Sequence, residues 1–220
     1  MSKNKVSTKY MTTVAMFCAV SFVAVLIGKL VPNVAGFLSY DPKDAIVAIA
    51  GFILGPISCL VISVIVSFIE MITISTTGPY GFLMNVVATC AFSMPAAWYY
   101  RKHHTRNGAI WGLVIGTLAM ACCMLIWNYV VTPFYMGVER EVVAGMLMSV
   151  FLPFNLVKGG INAGITLLIY APIVNALRKA KLVPESKSSG KKKFNAGYTV
   201  FAAAVIITFA LLFLVLAGVI

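Results

Sequence analysis

Apolar and polar stretches alternate along this chain on a long period, giving seven apolar runs joined by short polar segments. The runs cover roughly 11–31, 42–54, 57–76, 80–100, 109–131, 149–177 and 198–220. Most reach the ~20 residues a helix needs to cross about 30 Å of hydrocarbon. The second is shorter, about 13 residues or ~20 Å of helix. It is expected to span incompletely, or to pair with the third across the Gly55-Pro56 break. Asp41 is its candidate N-cap and Pro42 its first helical residue. The sixth, about 29 residues or ~44 Å, is expected to tilt or project, with kinks at Pro153 or Pro172. The pattern predicts an all-α integral membrane protein with a six-helix core and one extra C-terminal transmembrane helix. The expected units are 1–179 for the core, 180–196 for a basic cytoplasmic linker rich in Ser, Gly and Lys, and 197–220 for the added helix.

Composition agrees. Apolar residues make up 61% and charged residues 10%, where a soluble domain carries about 25% charged residues. The net charge of +11 raises nucleic acid as a partner, but the basic residues form short clusters between apolar runs, with no basic stripe interleaved with aromatics. With the N-terminus in the cytoplasm, thirteen of the seventeen fall inside: Lys3, Lys5, Lys9, Arg101, Lys102, Arg106, Arg178, Lys179, Lys181, Lys187, Lys191, Lys192 and Lys193. That bias sets a multi-pass topology in the cell membrane. Lys3, Lys5 and Lys9 before an apolar run imitate a signal peptide, but the run exceeds the usual h-region, so a retained first helix is expected. Cys18, Cys59, Cys90, Cys122 and Cys123 lie in apolar runs without a CxxC pair, which reads as small buried hydrophobes. His103 and His104 sit in a basic turn. No metal site is expected.

Polar residues inside the apolar runs point to a site, because a charge at the bilayer centre costs about 2.5–3.5 kcal/mol even on insertion scales. Lys158 is the clearest. Asn155 precedes it by three residues and Asn162 follows by four, so a helix puts all three on one face. Snorkelling to the outer headgroups is the alternative for Lys158. Asn128 ends the fifth run, where it binds a ligand or caps a helix. Tyr80, Phe82 and Asn85 open the fourth run after the Gly78-Pro79 turn. Glu70 closes the third, as a ligand acceptor or as a structural partner for Lys158 or Lys29. The first outer loop adds Tyr40, Asp41 and Asp44. All lie at one depth on the outer side, among Tyr40, Tyr80, Phe82, Trp127, Tyr129, Phe134 and Tyr135. Part of that aromatic set is explained by an interfacial belt. A pocket with few polar groups and aromatic walls suits a flat heteroaromatic ligand.

Small residues recur at four-residue spacing: Ala15 and Ala19, Gly112 and Gly116, Gly160 and Gly164. Such faces let helices approach closely. The sequence contains no Walker A loop, HExxH, GxSxG or paired acidic motif. It is read as no enzyme, with any energy for transport supplied by other subunits. The last run carries no internal charge and is read as a lipid-facing anchor or partner-contact helix that leaves the site untouched.

Several segments carry a resemblance: Asn128-Tyr-Val-Val-Thr-Pro-Phe-Tyr-Met, Leu152-Pro-Phe-Asn-Leu-Val-Lys, Gly78-Pro-Tyr-Gly-Phe-Leu-Met-Asn and Tyr40-Asp-Pro-Lys-Asp. Over about 11–179 the chain resembles the substrate-binding S components of energy-coupling-factor (ECF) vitamin transporters, specifically the riboflavin-binding type. The resemblance implies capture of riboflavin near the outer face, without a cofactor, and association with a transmembrane coupling subunit and two cytoplasmic ATPases. It implies flavin contacts for Asn128 and Lys158, and pocket positions for Asp41, Tyr40, Asn85 and Glu70. Tyr80, Thr132 and Asn155 complete the candidate ligand-binding set. Ala15 and Ala19 match the face that docks on the coupling subunit. An S component for another vitamin, or an assembly subunit that binds no small molecule, are the alternatives.

Overall fold

The computed structural model describes residues 7–183 and 196–219. Helices α1 (Thr8–Gly28), α2 (Lys43–Leu54), α3 (Pro56–Thr73), α4 (Gly78–Lys102) and α5 (Arg106–Val130) follow one another. Two short helices, α6 (Thr132–Met136) and α7 (Arg140–Met146), lead through a π-helical turn, Leu147–Phe151, into α8 (Leu152–Lys179). The last helix is α9 (Ala196–Leu216). Among the described residues six helical stretches are long and apolar enough to cross a membrane: α1, α3, α4, α5, the continuous Arg140–Lys179 and α9. Among the described residues the only strand-like pairing is an isolated bridge between Val34 and Leu38. An all-helical chain is what hydrocarbon permits, because every backbone group must be paired internally.

The short second run becomes the centre of the bundle. α2 has 12 residues, Lys43 through Phe52 are all buried, and it packs on α1, α3, α4 and α8. At ~1.5 Å per residue it covers only about 18 Å, which suffices because protein rather than lipid surrounds it. Gly55, at φ 100°, turns the chain from α2 into α3. That backbone conformation is open to glycine and strained for other residues. Pro56 then opens α3, where its missing N–H costs nothing. α2 itself starts at Lys43 rather than Pro42, which occupies the N-cap position. Asp41 still serves the helix end, accepting the Lys43 backbone N–H at 3.1 Å through Oδ1. It does so one position earlier than expected.

Close packing falls where the small residues are. A Cβ added at Gly112 would sit 2.8 Å from the Ala96 carbonyl oxygen, and one at Gly116 would collide with the Phe92 carbonyl. The first Gly-x-x-x-Gly face is therefore the α4–α5 contact. The second receives α9: a Cβ at Gly160 would lie 2.5 Å from the Phe209 ring, and one at Gly164 2.6 Å from Ile206. Little of α9 is buried, as befits a lipid-facing anchor or partner-contact helix, but the expectation that it stands apart from the site is corrected, since α9 seats on α8. The expected linker at 180–196 falls mostly outside the described residues. Before Pro153, the irregularity in the long sixth run is the π-turn, and Pro153 lies in the first turn of α8.

Because the helices alternate in direction, one end of the bundle gathers the C-terminal ends of α1, α3, α5 and α9 with the starts of α2, α4 and α8. The candidate polar residues all lie at that end. Arg101, Lys102, Arg106, Arg178 and Lys179 flank the other end, at the end of α4, the start of α5 and the end of α8.

Candidate functional site

A cavity of about 330 Å³ opens at the gathered end, within the size range of small-molecule pockets. Its walls come from α1, the loop before α2, α3, α4, α5 and α8. Of the expected residues, Tyr40, Asp41, Glu70, Asn85, Asn128, Asn155 and Lys158 line it. Thr132 stands one bond behind, its hydroxyl donating to Asn128 Oδ1 at 2.8 Å. Tyr80 is not part of the lining; about half exposed, it packs against Tyr135 with ring centroids 6.0 Å apart.

Asn128 is not a helix cap. It lies within α5, 4% exposed, and its Nδ2 donates to the Met124 carbonyl at 2.7 Å. Asn155 repeats the arrangement on α8, donating to the Phe151 carbonyl at 2.7 Å, the last residue of the π-turn. π-Turns recur at functional sites. A side-chain amide offers two donors and two acceptor lone pairs. Each of these two asparagines therefore keeps hydrogen-bonding capacity for the cavity while its orientation is fixed by the backbone.

The cavity's charges are paired. Lys158, 6% exposed, reaches Asp44 Oδ2 at 3.1 Å, so it does not snorkel. Asp44 is fully buried in the first turn of α2, where the helix N-terminus favours a carboxylate. It also accepts the Thr89 hydroxyl at 2.6 Å. Glu70 pairs with Lys29 at 3.1 Å and Lys43 at 3.7 Å and accepts Asn85 Nδ2 at 3.0 Å. Lys43 also bonds the Asp41 carboxylate. Three carboxylates, Asp41, Asp44 and Glu70, are thus set against three amines, Lys29, Lys43 and Lys158. Lys158 meets Asp44 as an ion pair, and its ammonium, which lines the cavity, has donors for a ligand acceptor.

The loop before α2 closes one side. Tyr40 donates its hydroxyl to Asn162 Oδ1 at 2.9 Å, and Asn162 Nδ2 donates to the Asp41 carbonyl at 3.1 Å. Burial pushes the Tyr40 hydroxyl well above its ordinary range, and the Asp44 carboxylate adds to the shift, so it remains a donor. Asn155, Lys158 and Asn162 do share a face, as their spacing predicts. The first two line the cavity and the third pins its loop.

The sequence reading placed some of these groups without their partners and missed others. Asp44, not Glu70, is the partner of Lys158. Thr89 gave no signal, being a neutral residue in an apolar run. Lys29 is the partner of Glu70, one of the two expected for it, whereas Lys43 read only as an exception to the charge bias. Among aromatics, Phe37, Tyr40, Tyr135 and Phe154 reach the cavity, whereas Tyr80, Tyr129 and Phe134 are substantially exposed, as an interfacial belt would be.

This geometry can be set beside known proteins. The model of the family described as the substrate-specific component of ECF transporters matches residues 9–170. The chain belongs to this family. The match takes in every cavity residue named above and stops before α9. The S component is 26% identical over 182 residues to the riboflavin transporter RibU of Staphylococcus aureus, covering 80% of this chain and 96% of that protein. It is 28% identical over 176 residues to the riboflavin transporter FmnP of Bacillus subtilis, covering 74% and 90%. A solved structure of the S component of a bacterial ECF transporter superposes with a TM-score of 0.66 at 26% identity, covering 77% of this chain and 98% of that one. The all-helical architecture is therefore the S-component fold with one helix added.

Proposed function

We propose that this S component captures riboflavin at the outer face of the cell membrane and delivers it inward as part of an ECF transporter. The observation that carries the reading is the joint burial of Asn128, Asn155 and Lys158 around one cavity. Unmatched amides and ammonium are costly away from water, so their free donors and acceptors mark a polar ligand. The ring edge of isoalloxazine, with carbonyls and ring nitrogens, complements an ammonium and two amides. Its flat face suits Phe37, Phe154 and Tyr135. Glu70, Asn85 and Asp41 are in reach of the same space for the ribityl hydroxyls. The relatives' names point to the same vitamin.

The basic residues at the end opposite the cavity support a cytoplasmic N-terminus. Beside them, an apolar groove of about 550 Å³ runs between α1 and α3, with Ala15 and Ala19 exposed in it beside Val14, Cys18, Val61 and Ile65. Its small-residue floor fits the close approach of another membrane helix. It supports docking on a transmembrane coupling subunit, with two ATPases supplying the energy.

Purification from cells grown with riboflavin tests the reading. A yellow preparation with flavin absorbance, or quenching of added riboflavin fluorescence by the purified protein, is the expected result. A colourless protein that leaves riboflavin fluorescence unchanged but binds thiamine or biotin would transfer the assignment to another vitamin.

A further inference from the structure

α9 lies beyond the residues shared with the family model, yet it touches the cavity wall. Its seat is the Gly160/Gly164 face of α8, over which Phe209 and Ile206 fit. Toward the cavity end, Phe213 is 4% exposed and meets the edge of Tyr40 at 5.8 Å between centroids and 67° between planes. It also lies 6.4 Å from the Phe154 ring. Both partners line the cavity. Val34, Tyr40, Phe154, Val157, Ile161 and Phe213 form a buried apolar cluster separate from the main core. The loop before α2 is thus held from two sides: Asn162 takes the Tyr40 hydroxyl and Phe213 takes its ring.

In lipid this contact is not driven by the hydrophobic effect, because acyl chains are as apolar as Phe213. What α9 adds is shape, a fixed ring where mobile lipid would otherwise lie. We infer that α9 is a built-in brace of the vitamin pocket and that Phe213 is a positioning residue, acting through Tyr40 to hold the 31–42 loop over the ligand. The part of this that concerns the vitamin rests on the functional reading above. The part that concerns the loop stands without it.

The test uses the full chain with Phe213→Ala, and Leu211→Ala as a control that removes apolar volume from the exposed side of the same helix. The first readout needs no ligand: hydrogen exchange of the Val34 and Leu38 amides, which bond each other's carbonyls at 2.9 and 3.0 Å. The second is the rate of riboflavin release. Phe213→Ala is expected to speed both, release by about three- to tenfold, the scale of one aromatic edge contact. Leu211→Ala should change neither, and adding Phe213→Ala to Tyr40→Ala should speed release no further. Wild-type exchange and release in Phe213→Ala, or further acceleration in the Tyr40→Ala background, overturns the assignment. If Phe213→Ala does not fold, Phe213→Leu keeps most of the volume and loses the ring; faster loop exchange supports the brace and unchanged exchange overturns it. A wild-type protein that binds no riboflavin removes the functional reading, and amide exchange alone then decides on the brace.

Discussion

Replacing Asp44 by Asn removes the only negative group within 4.0 Å of the Lys158 ammonium among the described residues, while keeping the shape of α2. Both partners are buried, at 0% and 6% exposure, so the change strands a cation. Breaking a buried pair from one side costs about 3–5 kcal/mol. Lys158→Met removes the charge from the other side and strands Asp44, which retains the Thr89 hydroxyl bond of 2.6 Å and the helix N-terminus. Its cost should fall at the lower end of the same range, about 3 kcal/mol. Asp44→Asn with Lys158→Met removes both charges and should recover most of the loss, because a neutral pair of similar volume carries no desolvation penalty. Binding should not recover with stability, since the ammonium aimed into the cavity is gone. Thermal unfolding in detergent and riboflavin titration of the three variants separate the two quantities. Wild-type stability in Asp44→Asn, or a double variant as unstable as the two losses combined, would refute the pairing. A double variant that binds riboflavin at full affinity would refute the ligand role of Lys158.

Other outcomes follow from single contacts. Asn162→Leu leaves the buried Tyr40 hydroxyl and the Asp41 carbonyl without a partner, so stability should fall by about 1–3 kcal/mol; thermal unfolding measures it. Gly116→Leu would force a side chain into the Phe92 carbonyl, and the α4–α5 pair should separate, giving a loss of folded protein on size-exclusion chromatography. Ala15→Leu or Ala19→Leu fills an open groove remote from the cavity. Riboflavin affinity should stay at the wild-type value while uptake by cells expressing the complete transporter is abolished, and full uptake would argue against docking there.

Hydrocarbon makes the spanning helices legible, because each must be apolar for about twenty residues whatever its neighbours. It says nothing of which helix meets which. Gly160 and Gly164 announced a close contact, but a small-residue face does not specify what approaches it, and α9 was read as a lipid-facing anchor or partner-contact helix apart from the site. The depth of Lys158, Asn128 and Asn155 was readable, since polar groups in an apolar run stand out. Their partners were not. Asp41 and Asp44 are three residues apart in sequence, and only the start of α2 at Lys43 decides that Asp44 turns inward to Lys158 while Asp41 stays at the loop. Tyr80 shows the converse: its sequence position at the head of α4 matched the pocket's depth, but the helix rotation aims it at Tyr135. The π-turn before α8 is marked in the sequence by Pro153, which has no N–H for the carbonyl four residues back and whose ring crowds it; a proline announces an irregularity there but does not say that it takes the form of a π-turn.

The most direct measurement is a fluorescence titration of riboflavin into ligand-free purified protein, run beside Asn128→Ala and Lys158→Ala. Saturable quenching by the wild type is predicted, with affinity lowered about tenfold or more in each variant, the size of one buried hydrogen bond to a charged or amide group. Equal quenching by all three proteins, or none by the wild type, would contradict a vitamin held between these side chains.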